Sequence, residues 1–480
     1  MDKFMSFTEN ILFGEFPKNV IDQANAAARI RTSAFVSNRL DLRGKTVFAF
    51  SDTPDTPTES AYSLYRKGSG WQLGIHIADV CEYVCEGSPL DIEARKRKAT
   101  IRGINTKIEM LPETIVKELC NFTKNGDKLA ISVLIDLDGE GNVENIELDE
   151  SVIRISGMCV YNEIDQLQTV SDDSAVMVLR EKYSPFKTIL DDMYELAAKF
   201  CIRRIQRGGL DCTRFYRTYI RDEQGSIVDF KRLEEPDSRA MLREIGYFAA
   251  ECLGEYMLKK KLPCIFNGRS SIAKETLDYL AELVGAGDSA DNSAYRVAQI
   301  ANLAKGTPYY GFVCDAIAYW IPCASFSNQP IDNFFCACDH VVSFFNPVTH
   351  YTDLLIQRTL KTAIKAGSAQ NLNLNKEKKI VSETTDEANS AERFICKARK
   401  QFSSACAIEY ISNNMANNFL GFPIDTDKNG EVAVMLECGI IGKVPLEYAV
   451  DFKYKKAQPL EFEVISINSG ENTALLKPVI

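Results

Sequence analysis

The ten residues WQLGIHIADV, Trp71 to Val80, set Leu73, Ile75 and Ile77 against Gln72, Gly74 and His76. Alternation with a period of two predicts a strand with one face turned to a core. Two strand-like runs precede it, KTVFAF (45–50) and SAYSLYR (60–66). A hairpin follows at LAISVLIDLDGEGNVENIELDESVIRI (129–155), where DGEG supplies the turn between two alternating runs. On that strand His76 is expected to be a packing residue rather than a catalytic one.

Farther out the apolar spacing becomes helical. An Ala-rich lead-in helix is expected from Asn19 to Thr32, ending near Ser33. A helix over Asp191–Arg207 carries Met193, Leu196, Ala197, Phe200 and Ile205 on its apolar positions, and Gly208-Gly209 stops it. Two more are predicted at Ser238–Lys260 and Val348–Ala366. The stretch GSAQNLNLNKEKKIVSETTDEANSAER (367–393) is polar and is expected to be a partly mobile linker leading into a helix. The last 70 or so residues return to short alternating runs, EVAVMLECGIIGKVPL, PLEFEVISI and TALLKPVI, the patterning of a small β-barrel of the OB type. The fold class is therefore α+β, a mixed sheet with packed helices followed by an all-β barrel.

At 480 residues the chain exceeds one compact core, so two or three domains are expected. No apolar run reaches the ~18 residues of a membrane span, and the acidic, polar start is not that of a signal peptide. Fifteen cysteines and three histidines lack zinc-finger or disulfide-framework spacing; the CxC of Cys336 and Cys338 has no second pair. The cysteines are expected to act mostly as small buried hydrophobes in a reducing, cytoplasmic setting. A net charge of −10 counts against binding nucleic acid over the whole surface but not in a local basic channel. The run EARKRKATIRGINTK (93–107) offers Arg95, Lys96, Arg97, Lys98, Arg102 and Lys107. Taken by itself it reads as a solvated helix face followed by a loop.

Six stretches in order resemble the ribonuclease II / ribonuclease R family of processive 3′-to-5′ exoribonucleases: RLDLRGKTVFAF (39–50), LGIHIADVCEYVCEGSPLDIEARKRKAT (73–100), IEMLPETIVKELCNF (108–122), GGLD (208–211), SRAMLREIGYFAAECLGEYM (238–257) and FNPVTHYTDLLIQRTL (345–360). The resemblance implies a lead-in at 1–38, the RNB-type catalytic domain fold around a channel at 39–366, a linker and helix at 367–407, and an OB-fold, RNA-binding-like domain at 408–480. It also implies a mechanism in which two magnesium ions clamp the scissile phosphate. In the family four aspartates hold the metals in an I-D-x5-D-x-D-D pattern, and an arginine of S-P-I-R-R-Y stabilises the charge on the phosphate.

The stretch FSDTPDTPTESAYSL (50–64) departs from that pattern. If Ala61 follows the last acidic position, the four positions are Ser51, Pro57, Glu59 and Ser60, and only Glu59 keeps a carboxylate. The arginine position is Thr349, with His350 beside it, and the base-stacking aromatic of the family's YLP segment becomes Arg102. A second aromatic position remains as Tyr219. The expectation is a degenerate nuclease that binds single-stranded RNA through Arg95, Arg97, Lys98, Arg102, Tyr219 and His350, without a cofactor and without a DNA-specific motif. Two alternatives stay open: an active Mg²⁺-dependent exoribonuclease using a displaced site on Asp52, Asp55 and Glu59, and a scaffold that binds a protein partner.

Overall fold

The computed structural model describes residues 15–30, 36–102, 107–124, 126–168, 174–287, 293–366, 375–426, 430–449, 458–468 and 472–479. Its centre is a seven-stranded mixed sheet built from β1 (Leu40–Asp41), β2 (Val47–Ser51), β3 (Ser60–Lys67), β4 (Gly70–Ala78), β5 (Lys128–Leu137), β6 (Val143–Ile153) and β7 (Ile155–Val160). The strand order is β1-β6-β5-β4-β3-β2-β7. The alternating run that predicted β4 lies near the middle, antiparallel to β3 and β5, with His76 opposite Ala61 and Ser132. The edges are parallel pairs, β1 with β6 and β2 with β7.

Both faces of β4 are covered, so Gly74 and His76 are as buried as the isoleucines between them. His76 is 1% exposed and joins a polar row that crosses four strands. Its Nε2 faces Ser63 Oγ at 3.0 Å, its Nδ1 faces Ser132 Oγ at 2.7 Å, and Ser132 Oγ meets Ser151 Oγ at 2.6 Å. Gly74 makes room for the row, since a Cβ there would come within 2.3 Å of Ser63 Oγ. Burial pushes the imidazole down to about 3, because the charged form would lose its hydration with no anion to replace it. The packing role expected for this histidine is the one it has.

Helices close the sheet. α1 (Lys18–Ala28) and α2 (Pro89–Arg97) pack together, while α3 (Lys187–Gln206) lies against α4 (Asp237–Lys259). α5 (Tyr351–Ala366) crosses β6. The lead-in helix expected from Asn19 to Thr32 ends earlier, at Ala28 with Arg29 as its C-cap, and Ser33 itself lies outside the described residues. A second core gathers around the helices Lys274–Val284, Ala294–Ala304 and Tyr310–Trp320.

Two expectations need correction. The polar stretch read as a linker leading into a helix is helical already from Asn375, in the 39-residue α6 (Asn375–Asn413), and residues 367–374 lie outside the described residues. Over residues 375–398 its buried positions are Val381, Thr384, Thr385, Ala388, Ile395 and Ala398, mostly small or hydroxylic side chains that do not register as an apolar period. The cysteines are not all thiols either: Cys323 and Cys396 are joined in a disulfide across 73 residues, tying the end of the second helical core to α6. Spacing could not show this, because the two elements meet only in the tertiary structure.

The C-terminal strands close a barrel: β8 (Phe419–Thr426), β9 (Val432–Leu436), β10 (Ile441–Val444), β11 (Leu460–Asn468) and β12 (Thr473–Pro478). Their order is β8-β9-β10-β12-β11, with β10 parallel to β12 and β11 returning to β8. That is the five-stranded OB arrangement. Among the described residues, no helix is long and apolar enough to cross a membrane.

Candidate active site

β2 ends at Ser51 and β3 begins at Ser60, so the loop between them hangs from two buried central strands. Ser51 is buried, and its hydroxyl donates to the Thr53 carbonyl at 2.8 Å, turning the chain immediately after the strand. Asp52 leaves in the other direction and pairs with Arg239 on α4. Asp55 is exposed at the tip of the loop. On the return, the Thr58 amide donates to Asn121 Oδ1 at 3.0 Å and its carbonyl accepts from Phe122 N at 2.7 Å. Ser60 then enters the sheet opposite Ile77.

Glu59 points across to a second loop. Its Oε2 accepts from the Val348 amide at 2.7 Å, one residue before Thr349. That loop is held by Asp353, which is 1% exposed and accepts from Asn346 N at 3.0 Å, Ser343 Oγ at 3.1 Å and Thr352 Oγ1 at 3.2 Å. Burial raises the Asp353 carboxyl; nearby His350 and these hydrogen bonds oppose the shift. The Thr349 hydroxyl stays local, within 3.0 Å of His350 Nδ1. The chain after α2 docks on the same loop, with Thr100 N donating to Thr349 O and Tyr351 N to Lys98 O, both at 2.8 Å. The structure thus brings together the end of the basic run, the Glu59 loop and the Thr349–His350 pair. Asp353 and Asn121, which hold these loops, were missed from sequence because an aspartate in a helix's first turn looks like a solvated helix-end charge.

The basic run is largely answered within the chain. Arg95 reaches Glu387 of α6 at 3.2 Å and Glu383 at 3.5 Å, and Lys98 reaches Glu387 at 3.0 Å. Burial by itself would raise the Glu387 carboxyl, but hydrogen bonds from Arg95 and Lys98 outweigh it and hold it below the usual range. Arg97 is buried, donating to Glu93 at 2.7 Å with its guanidinium 3.8 Å from the Phe16 ring centroid. The side chain of Arg102 lies outside the described residues. Tyr219 sits elsewhere: its hydroxyl donates to the Cys438 carbonyl at 2.7 Å and its ring packs with Phe230 against the barrel core.

A two-magnesium centre needs several hard oxygen ligands around a shared space. Ser51, Pro57, Glu59 and Ser60 supply one carboxylate, which already takes a backbone hydrogen bond. Asp52, Asp55 and Glu59 do not form a group whose ligand atoms all lie within 4.8 Å of one another; among the described residues such groups occur at Asp79, Glu82 and Glu150, and at Glu251, Cys338 and His340. The first of these is threaded by cations: Asp79 and Glu82 each pair with both Arg39 and Lys361, and Glu150 lies 3.0 Å from Lys361. The donor set around Glu59 does not fit a two-metal centre.

Residues 39–366 match the family described as the RNB domain. The chain is 27% identical over 450 residues to ribonuclease R of Thermotoga maritima, covering 92% of this chain and 62% of that protein. It therefore spans less than two thirds of that relative's length. Ribonuclease R of Mycoplasma genitalium, solved in complex with ribose-methylated single-stranded RNA, superposes with a TM-score of 0.84 at 19% identity, over 100% of this chain and 77% of that one. Yeast Ssd1, described as a pseudonuclease, superposes with a TM-score of 0.66 at 16% identity, over 92% and 53%. Both superpositions concern the fold.

Proposed function

The chain belongs to the RNB-domain family, and we propose that it is a member that binds single-stranded RNA and has lost 3′-to-5′ exoribonuclease catalysis. One observation carries the reading: of the four acidic positions only Glu59 keeps a carboxylate, and its Oε2 accepts from the Val348 amide at 2.7 Å. Phosphodiester hydrolysis by two metals depends on carboxylates that place both ions and on a cation that meets charge developing on the phosphate. Here Ser51, Pro57 and Ser60 offer no carboxylate, and Thr349 offers no positive charge. RNA as the ligand is supported by the ordered resemblance and by the Mycoplasma relative, whose structure holds RNA. Its path would run past Lys98 and His350, where three loops converge. A cytoplasmic location belongs to the same reading.

Incubation of a 3′-labelled single-stranded oligoribonucleotide with Mg²⁺ or Mn²⁺ tests it, with Glu59→Ala as control. The expected result is a retarded, intact oligonucleotide and no shortening beyond the control. Stepwise release of mononucleotides that disappears in the control overturns the loss of catalysis. Absence of salt-sensitive binding overturns the RNA ligand.

A further inference from the structure

The segment CACDH, Cys336 to His340, plays no part in the site just described, yet it forms a tight turn against α4. Ala337 adopts a positive φ of 50°, a conformation that costs a residue with a Cβ and persists where the surroundings impose it. The surroundings do so: Ala337 N donates to Asn333 O at 2.8 Å, Asn333 N to Cys338 O at 2.9 Å and Ile331 N to Asp339 O at 2.7 Å. Asn333 Oδ1 also accepts from Phe335 N at 3.0 Å. Cys336 is buried in a small core with Ala250 and Val341, and Cys338 packs half-buried against the edge of that core. α4 approaches closely because residue 254 is glycine; a Cβ there would lie 1.6 Å from the His340 carbonyl oxygen. One turn earlier on the same helix is Glu251.

We infer that Cys338, His340 and Glu251 form a binding site for Zn²⁺ or a similar thiophilic divalent cation. The three are half-buried, and their ligand atoms lie within 4.8 Å of one another. Three atoms so placed have a common point no more than about 2.8 Å from each, against the 2.0–2.3 Å of zinc bonds, so contraction of about half an ångström completes the site. A sulfur, an imidazole nitrogen and a carboxylate oxygen suit zinc and exclude magnesium as the preferred ion. His340 Nδ1 lies 2.7 Å from Asp339 Oδ1, and a carboxylate on one ring nitrogen orients a histidine that binds metal through the other. Arg207 grips both oxygens of Glu251, using part of their acceptor capacity and leaving further lone pairs. Three protein ligands leave a fourth position for water. Zinc-site spacing rules miss the constellation because Glu251 comes from a helix distant in sequence. The inference is independent of the fate of the nuclease site.

The test uses the full chain, reduced and stripped with a chelator, then titrated with Zn²⁺ against a chromophoric competitor, and separately with Co²⁺. One tight equivalent is expected, together with a thiolate-to-cobalt charge-transfer band. Cys338→Ser should abolish the band and weaken Zn²⁺ binding at least tenfold, His340→Gln should weaken it similarly, and Cys336→Ser should change neither. Metal-free melting temperatures of the variants identify any that fail to fold, and His340→Gln, at a partly exposed position, carries the result if Cys338→Ser is one of them. No tight equivalent in the wild type, or an equivalent and band that survive both Cys338→Ser and His340→Gln, overturns the site.

Discussion

His76 shows how a single ionisable side chain can make the sheet sensitive to acid. Its folded pKa of about 3 lies below the about 6.5 of a free imidazole. Between those values the unfolded chain binds a proton that the folded chain refuses, so stability is fully present above pH 6.5 and falls as pH drops toward 3. The slope from this one group approaches about 1.4 kcal/mol per pH unit. In urea titrations from pH 7 to 4, the wild type should lose stability relative to His76→Gln; parallel curves would mean the imidazole is protonated in place. Glu59 supports a second test of register. Ser51→Asp, Pro57→Asp, Glu59→Asp and Ser60→Asp together should lower apo stability through mutual repulsion and create Mg²⁺ or Mn²⁺ affinity, seen as a metal-dependent rise in melting temperature. A folded quadruple variant with no such rise would mean these positions do not converge. Both tests start from features present in the sequence: the alternation around His76 and the missing carboxylates of residues 51–60. What the sequence lacked was the partner. Neither Val348 as the acceptor's donor nor Asp353 as the loop's anchor can be found from spacing, since each depends on a contact between distant segments.

Among the elements, α2 and α6 meet through charge, and that meeting divides the basic run into two kinds of residue. Arg97 is structural. Removing it leaves the buried Glu93 carboxylate with only the more distant Lys96, at 3.9 Å, and empties the face of Phe16, so Arg97→Ala should cost about 3 kcal/mol in a denaturant titration; a loss within about 0.5 kcal/mol would show the pair to be solvated. Arg95 and Lys98 are more exposed and share Glu387, so they remain available to phosphate if the acid yields. Arg95→Ala with Lys98→Ala should weaken single-strand binding and flatten its log–log salt dependence by roughly 0.7 for each phosphate no longer neutralised. Glu387→Gln should strengthen binding, having removed the competing anion. If neither variant alters affinity or slope, the run is a helix face paired with its neighbour and no more. The same pairing explains why α6 was illegible at its start. A polar helix with a stripe of threonine and alanine holds its place by docking, and hydropathy alone cannot separate it from a linker.

At the scale of the molecule, α6 enters the barrel core with Ala407, Ile408 and Ile411, and among the described residues two further contacts join the barrel to the body. Phe422, Ile424 and Met435 belong to the second hydrophobic core, where Phe422 stacks on Tyr309 with ring centroids 5.5 Å apart. Beside them, the antiparallel strands Phe215–Arg221 and Ile227–Glu234 send Arg217 to the Glu437 carbonyl at 2.8 Å and Tyr219 to the Cys438 carbonyl at 2.7 Å. Asp315 fixes this junction: it is 7% exposed and pairs with Arg217 and, at 3.1 Å, with Arg232. Burial holds the Arg232 guanidinium below its usual value, with Asp315 opposing and Arg217 adding to the shift. Two arginines this close depend on the carboxylate between them. Asp315→Ala should therefore destabilise the junction by about 3 kcal/mol, the scale of a broken buried ion pair, and Asp315→Asn by less, because its amide oxygen still accepts a hydrogen bond. Differential calorimetry distinguishes how the loss is distributed. If the shared core dominates, the wild type melts in one transition and Asp315→Ala in one earlier transition. If the arginine junction is what couples the parts, Asp315→Ala splits the melt in two, with the barrel strands unfolding apart from the sheet. A wild type that already melts in two steps, the barrel's unmoved by Asp315→Ala, would show that neither contact couples the barrel to the body.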